Sequence, residues 1–445
     1  MDYLFVFTIL RKKRNNLNPD FINFNPKFLI IIYIIMVNDN INDNNIMYHS
    51  LDSTNGGGIK VKKLVVKKLL SDDEIKSKEG NWFHSKDMKH GILKDNCDVY
   101  YLDDDKEKLL CKFRKNVIPK DLIELGWNSY KDLAKASRGR WSSAGPIDPK
   151  SAYWKKRKLV DTDKWKTSYL VNGKKSKMKV NNQVASTPIG FYEASNNMVK
   201  LPCRLTHFTR THYDNYREGL KFIEKIDSLF KELVPARHAI QLKQANARPK
   251  LKINDTAFST ITINRNFRTA LHRDAGDLKD GFGNLTCIQR GKYHGGETMF
   301  PQFGIGVDLR TADFLAMDVH EWHCNAKLYE TDEDKKYNRK LHKIFKDNPE
   351  VGTAGLDKDY TRLSFVCYLR EKIIKCPKRI DKRYLSKSSS KKIQNSKYSK
   401  THSNIKNIDT KRSKRKKHTN KSKKHRVQNT NNIKQRHKKT HKQKR

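Results

Sequence analysis

His272 and Asp274 stand two residues apart, and on a strand that spacing projects both side chains from the same face. Two imidazoles and one carboxylate make a facial set that leaves open positions on Fe(II). The chain offers a third ligand at either end of His320-Glu-Trp-His323. Asp313 to Val319 reads as a strand with His320 at its end, and His323 opens the next. Arg362 and Ser364 also alternate onto one face. A guanidinium meets a carboxylate through two parallel hydrogen bonds, and a hydroxyl two residues on adds another. The segment from Thr361 to Leu369 is apolar enough to be a central strand, so an arginine buried there needs an anion. Asn264, on the polar side of the strand before His272, is a further candidate contact. Taken singly, each residue reads as a structural histidine or an exposed strand-end arginine. Together they describe a metal held beside a small dicarboxylate.

Short strands must position these groups. Ile261 and Ile263 alternate with Thr260, Thr262 and Asn264, as in a half-buried strand. Further strands are expected at 285–289, 296–300, 305–309, 313–319, 325–329 and 362–369, punctuated by Gly295, Gly296, Gly304 and Gly306. Many short strands with glycine turns point to a β-sandwich or barrel core at about 256–375. Upstream, Val99–Leu102 and Leu109–Phe113 flank an Asp-rich turn and read as a hairpin. A helix starts at Pro119. Residues 149–200 are rich in lysine, weakly periodic, and read as a basic insertion. From Thr211 to Leu233, Tyr216, Leu220, Ile223, Ile226, Phe230 and Leu233 fall three or four apart, which predicts one long helix ended by Pro235. A charged insertion at 330–360, with a helix near 335–345, is either a lid or a surface excursion. The loop 137–146 carries two arginines and a tryptophan between glycines. It is a surface turn or a nucleic-acid contact, since guanidinium beside an exposed ring suits both phosphate and base.

Across 445 residues the formal net charge is +46, which points to a polyanionic partner. Roughly 25 of those charges lie beyond Pro377, in a tail with too few apolar residues to form a core. Lys411–Lys417 resembles a nuclear-import or nucleic-acid patch. Seven scattered cysteines without a CxxC pair fit reduced thiols in an intracellular protein. Phe28–Val37 is apolar, but at ten residues it is about half of what a bilayer span needs, so no stable membrane insertion is expected. These features divide the chain into a disordered or misannotated leader (1–58), a folded domain (59–375) and a disordered basic tail (376–445).

The motifs Thr256–Asn264, His272-Arg-Asp-Ala-Gly-Asp277, Gly281–Asn284, Tyr293-His-Gly-Gly296, Asp318–Asn325 and Arg362-Leu-Ser364 resemble the 2-oxoglutarate/Fe(II)-dependent dioxygenases. They are most similar to the TET and base-J-binding-protein oxygenase group, in its viral and fungal form. The resemblance covers roughly 100 to 375. It implies an α+β fold with a double-stranded β-helix (jelly-roll) core flanked by helices. It implies Fe(II) held by His272, Asp274 and His323, which are also the catalytic set, with His320 as a neighbour. Arg362 with Ser364, and Asn264 nearby, would bind 2-oxoglutarate; O2 is the other co-substrate. The implied reaction is hydroxylation of the methyl group of thymine or 5-methylcytosine in nucleic acid, in the nucleus or a cytoplasmic viral factory. Nucleic acid would be bound through the tail and the 137–146 loop. The same fold also serves peptide hydroxylases, and a non-catalytic nucleic-acid binder is a third reading. Oligomeric state is not indicated.

Overall fold

The structure is a computed structural model that describes residues 46–49, 60–134, 136–137, 139–155, 157–195, 201–341 and 358–386. The chain divides at Tyr48; the second unit holds everything below.

The strand Thr361–Tyr368 is the middle of a large sheet. Gly283–Arg290 pairs with it antiparallel on one side and Thr260–Arg265 on the other. Beyond Gly283–Arg290 come Phe314–Met317, Lys106–Arg114, Cys97–Asp103 and Lys62–Val66. Val184–Tyr192 and Arg204–Leu205 extend the opposite side. A smaller sheet runs in the order Cys324–Asn325, Thr298–Phe300, Ile305–Val307, Ile92–Leu93. From residue 260 onward the chain passes back and forth between the sheets, with Thr298–Phe300 and Ile305–Val307 paired within the smaller one and His272 bridging His323.

The period of two along each strand divides the molecule into a packing face and a polar face. Ile261, Ile263, Leu363, Phe365 and Cys367 join one buried cluster with Trp127, Tyr130, Phe222, Ile223, Ile226 and Phe230 of the helices Lys120–Tyr130 and Leu220–Leu233. Burial of each large side chain contributes about 1.5–3 kcal/mol. Between the sheets, Leu315 and Met317 pack with Phe300, Phe303, Ile305 and Val307 in a second cluster. The intervening residues Thr262, Asn264, Arg362, Ser364, Val366 and Tyr368 face a cavity.

Three expectations change. The long helix is broken into His207–Thr211, Tyr213–Glu218 and Leu220–Leu233. At Gly219 the Tyr130 ring occupies the place of a side chain, with a Cβ falling 2.2 Å from Cζ. Residues 149–200 are not simply an insertion: Val184–Tyr192 is a buried strand of the large sheet, disguised by Ser186, Thr187, Pro188 and Gly190. Cys203 and Cys376 form a disulfide across 173 residues, so the reading of all seven cysteines as thiols fails for this pair. The other five are buried and free.

Beyond that bond, Ile380 and Leu385 pack on the helix-side core. The hairpin forms as Cys97–Asp103 and Lys106–Arg114, with Asp104 and Asp105 at positive φ. The helix in the charged insertion is Asp332–Asn338, started by a capping box between Thr331 and Asp334. Residues 342–357 of the charged insertion, read as a lid or a surface excursion, lie outside the described residues, as do Phe28–Val37 of the leader and Lys411–Lys417 of the tail. No helix among the described residues is long and apolar enough to cross a membrane.

Candidate metal centre and ligand cavity

His272 and His323 are antiparallel bridge partners, each donating its N–H to the other's carbonyl at 3.0 Å. Asp274 is fixed two residues on by a bond from its N–H to the Val319 carbonyl, at 3.0 Å. His272 Nε2 lies 3.7 Å from one carboxylate oxygen of Asp274 and His323 Nε2 lies 3.9 Å from the other. Among the described residues these three offer one ligand atom each within 4.8 Å of one another.

Both imidazoles are oriented from behind. His272 Nδ1 meets the Ala270 carbonyl at 2.7 Å and His323 Nδ1 meets the Glu321 carbonyl at 2.9 Å. A carbonyl only accepts, so each ring carries a proton on Nδ1 and turns its Nε2 toward Asp274, the orientation in which Nε2 ligates a metal. Burial and the neighbouring His272 push the His323 imidazole down to about 4, which keeps it neutral and able to ligate near pH 7. His320 points elsewhere: its Nε2 donates to the Leu278 carbonyl at 3.1 Å. Of the two candidates that the spacing allowed, the geometry brings only His323 to Asp274.

Asn264, His272, Asp274, His323, Arg362 and Ser364 all line one cavity of about 390 Å³. Arg362 is buried and, among the described residues, its Nε has no hydrogen-bond partner. A buried unpaired guanidinium costs several kcal/mol, by order of magnitude, unless an anion accompanies it. Asn264 Nδ2 donates to Ser364 Oγ at 3.4 Å, and Asn264 Oδ1 accepts from Ser186. The approach to Arg362 depends on the glycine pair. Gly295 has φ +77, and a Cβ there would sit 1.8 Å from the Lys327 carbonyl oxygen; a Cβ on Gly296 would press on Leu328 and come within 3.5 Å of Arg362 Nε. Leu285, Met317, Val319 and Val366 supply an apolar wall.

The far part of the lining was not read from the sequence. Asp277 is buried, and among the described residues its Oδ2 has no partner. Burial and the nearby Asp274 carboxylate hold its carboxyl well above the usual range. Its spacing of three from Asp274 was visible, but the turn that brings it inward was not. Arg140 from the 137–146 loop reaches Thr262 Oγ1 at 3.4 Å and lines the same space, with Trp141 beside it. Tyr368 hydroxyl lies 3.1 Å from Thr262 Oγ1. Arg370, by contrast, is matched by Glu193 in two bonds of 2.6 and 2.7 Å.

The family model Tet_JBP, described as the oxygenase domain of the 2OGFeDO superfamily, matches residues 187–371. The matched segment holds Asn264, His272, Asp274, Asp277, His323, Arg362 and Ser364, but not Arg140 or the strands before residue 187. Similar curated proteins include "Thymine dioxygenase JBP1" of Trypanosoma brucei brucei, 29% identical over 173 residues, 39% of this chain and 20% of that one. "Bifunctional helicase and thymine dioxygenase JBP2" of Leishmania tarentolae is 27% identical over 223 residues, 50% of this chain and 18% of that one. The chain thus spans about a fifth of the length of these relatives. Among solved structures it is similar to NgTET1 in complex with 5mC DNA at 11% identity, covering 70% of this chain and 84% of that one with a TM-score of 0.37, too distant a likeness to bear on fold.

Proposed function

We propose that the chain is a 2-oxoglutarate- and Fe(II)-dependent dioxygenase that hydroxylates the methyl group of a pyrimidine in nucleic acid. The observation that carries this is the shared cavity: a His-Asp-His set faces the same space as a buried arginine whose Nε has no hydrogen-bond partner among the described residues. The match of residues 187–371 to the Tet/JBP oxygenase model and the thymine dioxygenase relatives support the same reading. The alternation of strands between two sheets supports a double-stranded β-helix for the core.

In this reading His272, Asp274 and His323 hold the iron, which with 2-oxoglutarate and O2 supplies the oxidising power for hydroxylating a methyl C–H. Donor chemistry fits: two imidazoles and one carboxylate leave open positions on Fe(II). Arg362 takes the far carboxylate of 2-oxoglutarate, and Ser364 and Asn264 extend that polar end. The bonds from His272 and His323 Nδ1 fix ring tilt before any ligand arrives. Leu285, Met317, Val319 and Val366 exclude water from one side of the reacting methyl. Asp277, whose carboxyl burial holds well above the usual range, lines the same space with an oxygen available to a bound base. A duplex base has to be extruded to reach this depth. The domain of this activity runs from about 59 to 375, with the basic tail as an accessory nucleic-acid contact.

Incubation of the full chain with Fe(II), 2-oxoglutarate and DNA, followed by nucleoside mass spectrometry, tests the proposal. Hydroxymethylated thymine or cytosine is expected, and only with 2-oxoglutarate present. Succinate release stimulated by peptides and by none of several DNAs or RNAs would reject it.

A further inference from the structure

Residues 155–179 carry ten lysines and arginines against Asp161 and Asp163. They fold largely as a three-stranded antiparallel wing: Leu159–Thr162, Thr167–Val171 and Lys174–Lys175, with Asn172 and Gly173 at positive φ in the tight turn. Its inner side is anchored by Leu159 and Val180 against Ile147 and Trp154. Its outer side is unusual for a surface, since Val160, Leu170, Val171 and Met178 are 36–69% exposed. Two of the lysines are engaged by the wing's own acids, Lys166 by Asp163 and Lys175 by Asp161, and Lys164 Nζ donates to the Ser77 carbonyl. Lys158, Lys174, Lys177 and Lys179 are exposed and make no salt bridge among the described residues.

The wing is attached to the rim of the cavity. Asn182, just after it, donates to the carbonyls of Ala144, Gly145 and Pro146 at 2.8–3.2 Å, and Asn181 donates to the Trp141 carbonyl at 3.3 Å. Trp165, in the wing's first turn, meets Trp141 edge-on at 6.3 Å. Trp141 itself is 53% exposed, lines the mouth of the cavity and has φ +43, a conformation that a bulky residue rarely adopts without cause. One bonded unit therefore joins an exposed ring at the cavity mouth to a strip of exposed cations, of which Lys179 also interacts electrostatically with Asp161 and Asp163.

We infer that this wing holds the phosphodiester backbone of the nucleic acid whose reacting base occupies the cavity, with Trp141 stacking on a neighbouring base. Charge complementarity selects the polyanion, and attachment to the rim selects one whose reacting group enters there. The five-residue central strand is about 17 Å long, roughly five nucleotide steps of one backbone. The inference rests on the nucleic-acid reading proposed above.

The test uses the full chain and a variant with Lys158, Lys174, Lys177 and Lys179 all changed to Ala. Binding to a fluorescent duplex is followed from low to high salt. Each lost phosphate contact removes about 0.9 from the slope of log affinity against log salt, so a fall of about 3–4 is expected, with at least tenfold weaker binding near 0.1 M salt. The four-Arg variant is expected to restore the slope. Trp141→Ala is expected to raise KM for DNA about tenfold or more. Affinity of the His-Asp-His set for Mn(II) stays at the parent value in all three, which separates misfolding from lost docking. A slope and affinity within twofold of the parent for the four-Ala variant overturn the wing's role, whether or not DNA is oxidised. A slope that falls as expected while no nucleic acid is oxidised upholds the docking surface and rejects the proposed reaction. Loss of peptide or vesicle binding with DNA binding intact also overturns the inference.

Discussion

The backbones of His272 and His323, 51 positions apart in the chain, close on each other through two reciprocal hydrogen bonds of 3.0 Å. The two imidazoles that face Asp274 are therefore placed by main-chain pairing, before any side-chain choice is made. A ligand set built this way is preorganised, and its members are separable by mutation.

Replacing His323 by Ala is expected to weaken Mn(II) binding more than about 100-fold, as removing a ligand exceeds the 10–100-fold typical of its supporting partners. His320→Ala is expected to leave binding within a few-fold of the parent, because His320 is turned to the Leu278 carbonyl. Isothermal titration of both variants checks this pair, and equal losses would contradict it.

Arg362→Ala is expected to raise KM for 2-oxoglutarate with metal affinity unchanged. Removing one partner of a buried charge pair costs about 2–5 kcal/mol, so the rise is at least roughly 30-fold. Lysine is expected to recover only part, since it lacks the planar fork. Initial-rate kinetics over a 2-oxoglutarate series decide it.

Gly295→Ala is expected to destabilise the domain strongly, because its Cβ would overlap the Lys327 carbonyl and φ is positive. Backbone strain of this kind costs about 1–3 kcal/mol before the overlap is relieved. Denaturant unfolding at neutral pH measures it, and an unchanged midpoint would show that the Tyr293-His-Gly-Gly turn is not constrained.

Cys203→Ser is expected to lower stability by about 2–5 kcal/mol, through a larger unfolded ensemble once the 173-residue loop is opened. The same shift should appear in the parent under strong reductant. Coincident unfolding curves with and without reductant would show that the pair is not joined in solution.

The candidate site was legible because its members obey a period of two. Arg362 and Ser364, and Thr262 and Asn264, alternate with Leu363, Phe365, Ile261 and Ile263, so one face could be assigned to ligand and the other to core. What the pattern could not supply was anything decided by a turn or a partner far along the chain. Asp277 enters the cavity through a loop, and Arg140 arrives from a segment more than a hundred residues upstream. Val184–Tyr192 hid as a strand because its serine, threonine, proline and glycine lack alternation, although its neighbours bury it. The long helix broke at Gly219 because the Tyr130 ring, invisible to a helical period, takes that space. Cys203 and Cys376 gave no local spacing signal, since only the folded sheet and helices bring them together.

The central claim is that two bridged histidines and one aspartate share a metal beside an arginine-held keto acid. Crystals of the full chain grown with Mn(II) and an unreactive 2-oxoglutarate analogue, measured by anomalous diffraction, test it most directly. One anomalous peak bounded by Nε2 of His272, Nε2 of His323 and the Asp274 carboxylate is expected, with the analogue's far carboxylate against Arg362. A metal bound away from these three atoms, or an analogue that leaves Arg362 without an anion, would contradict the account.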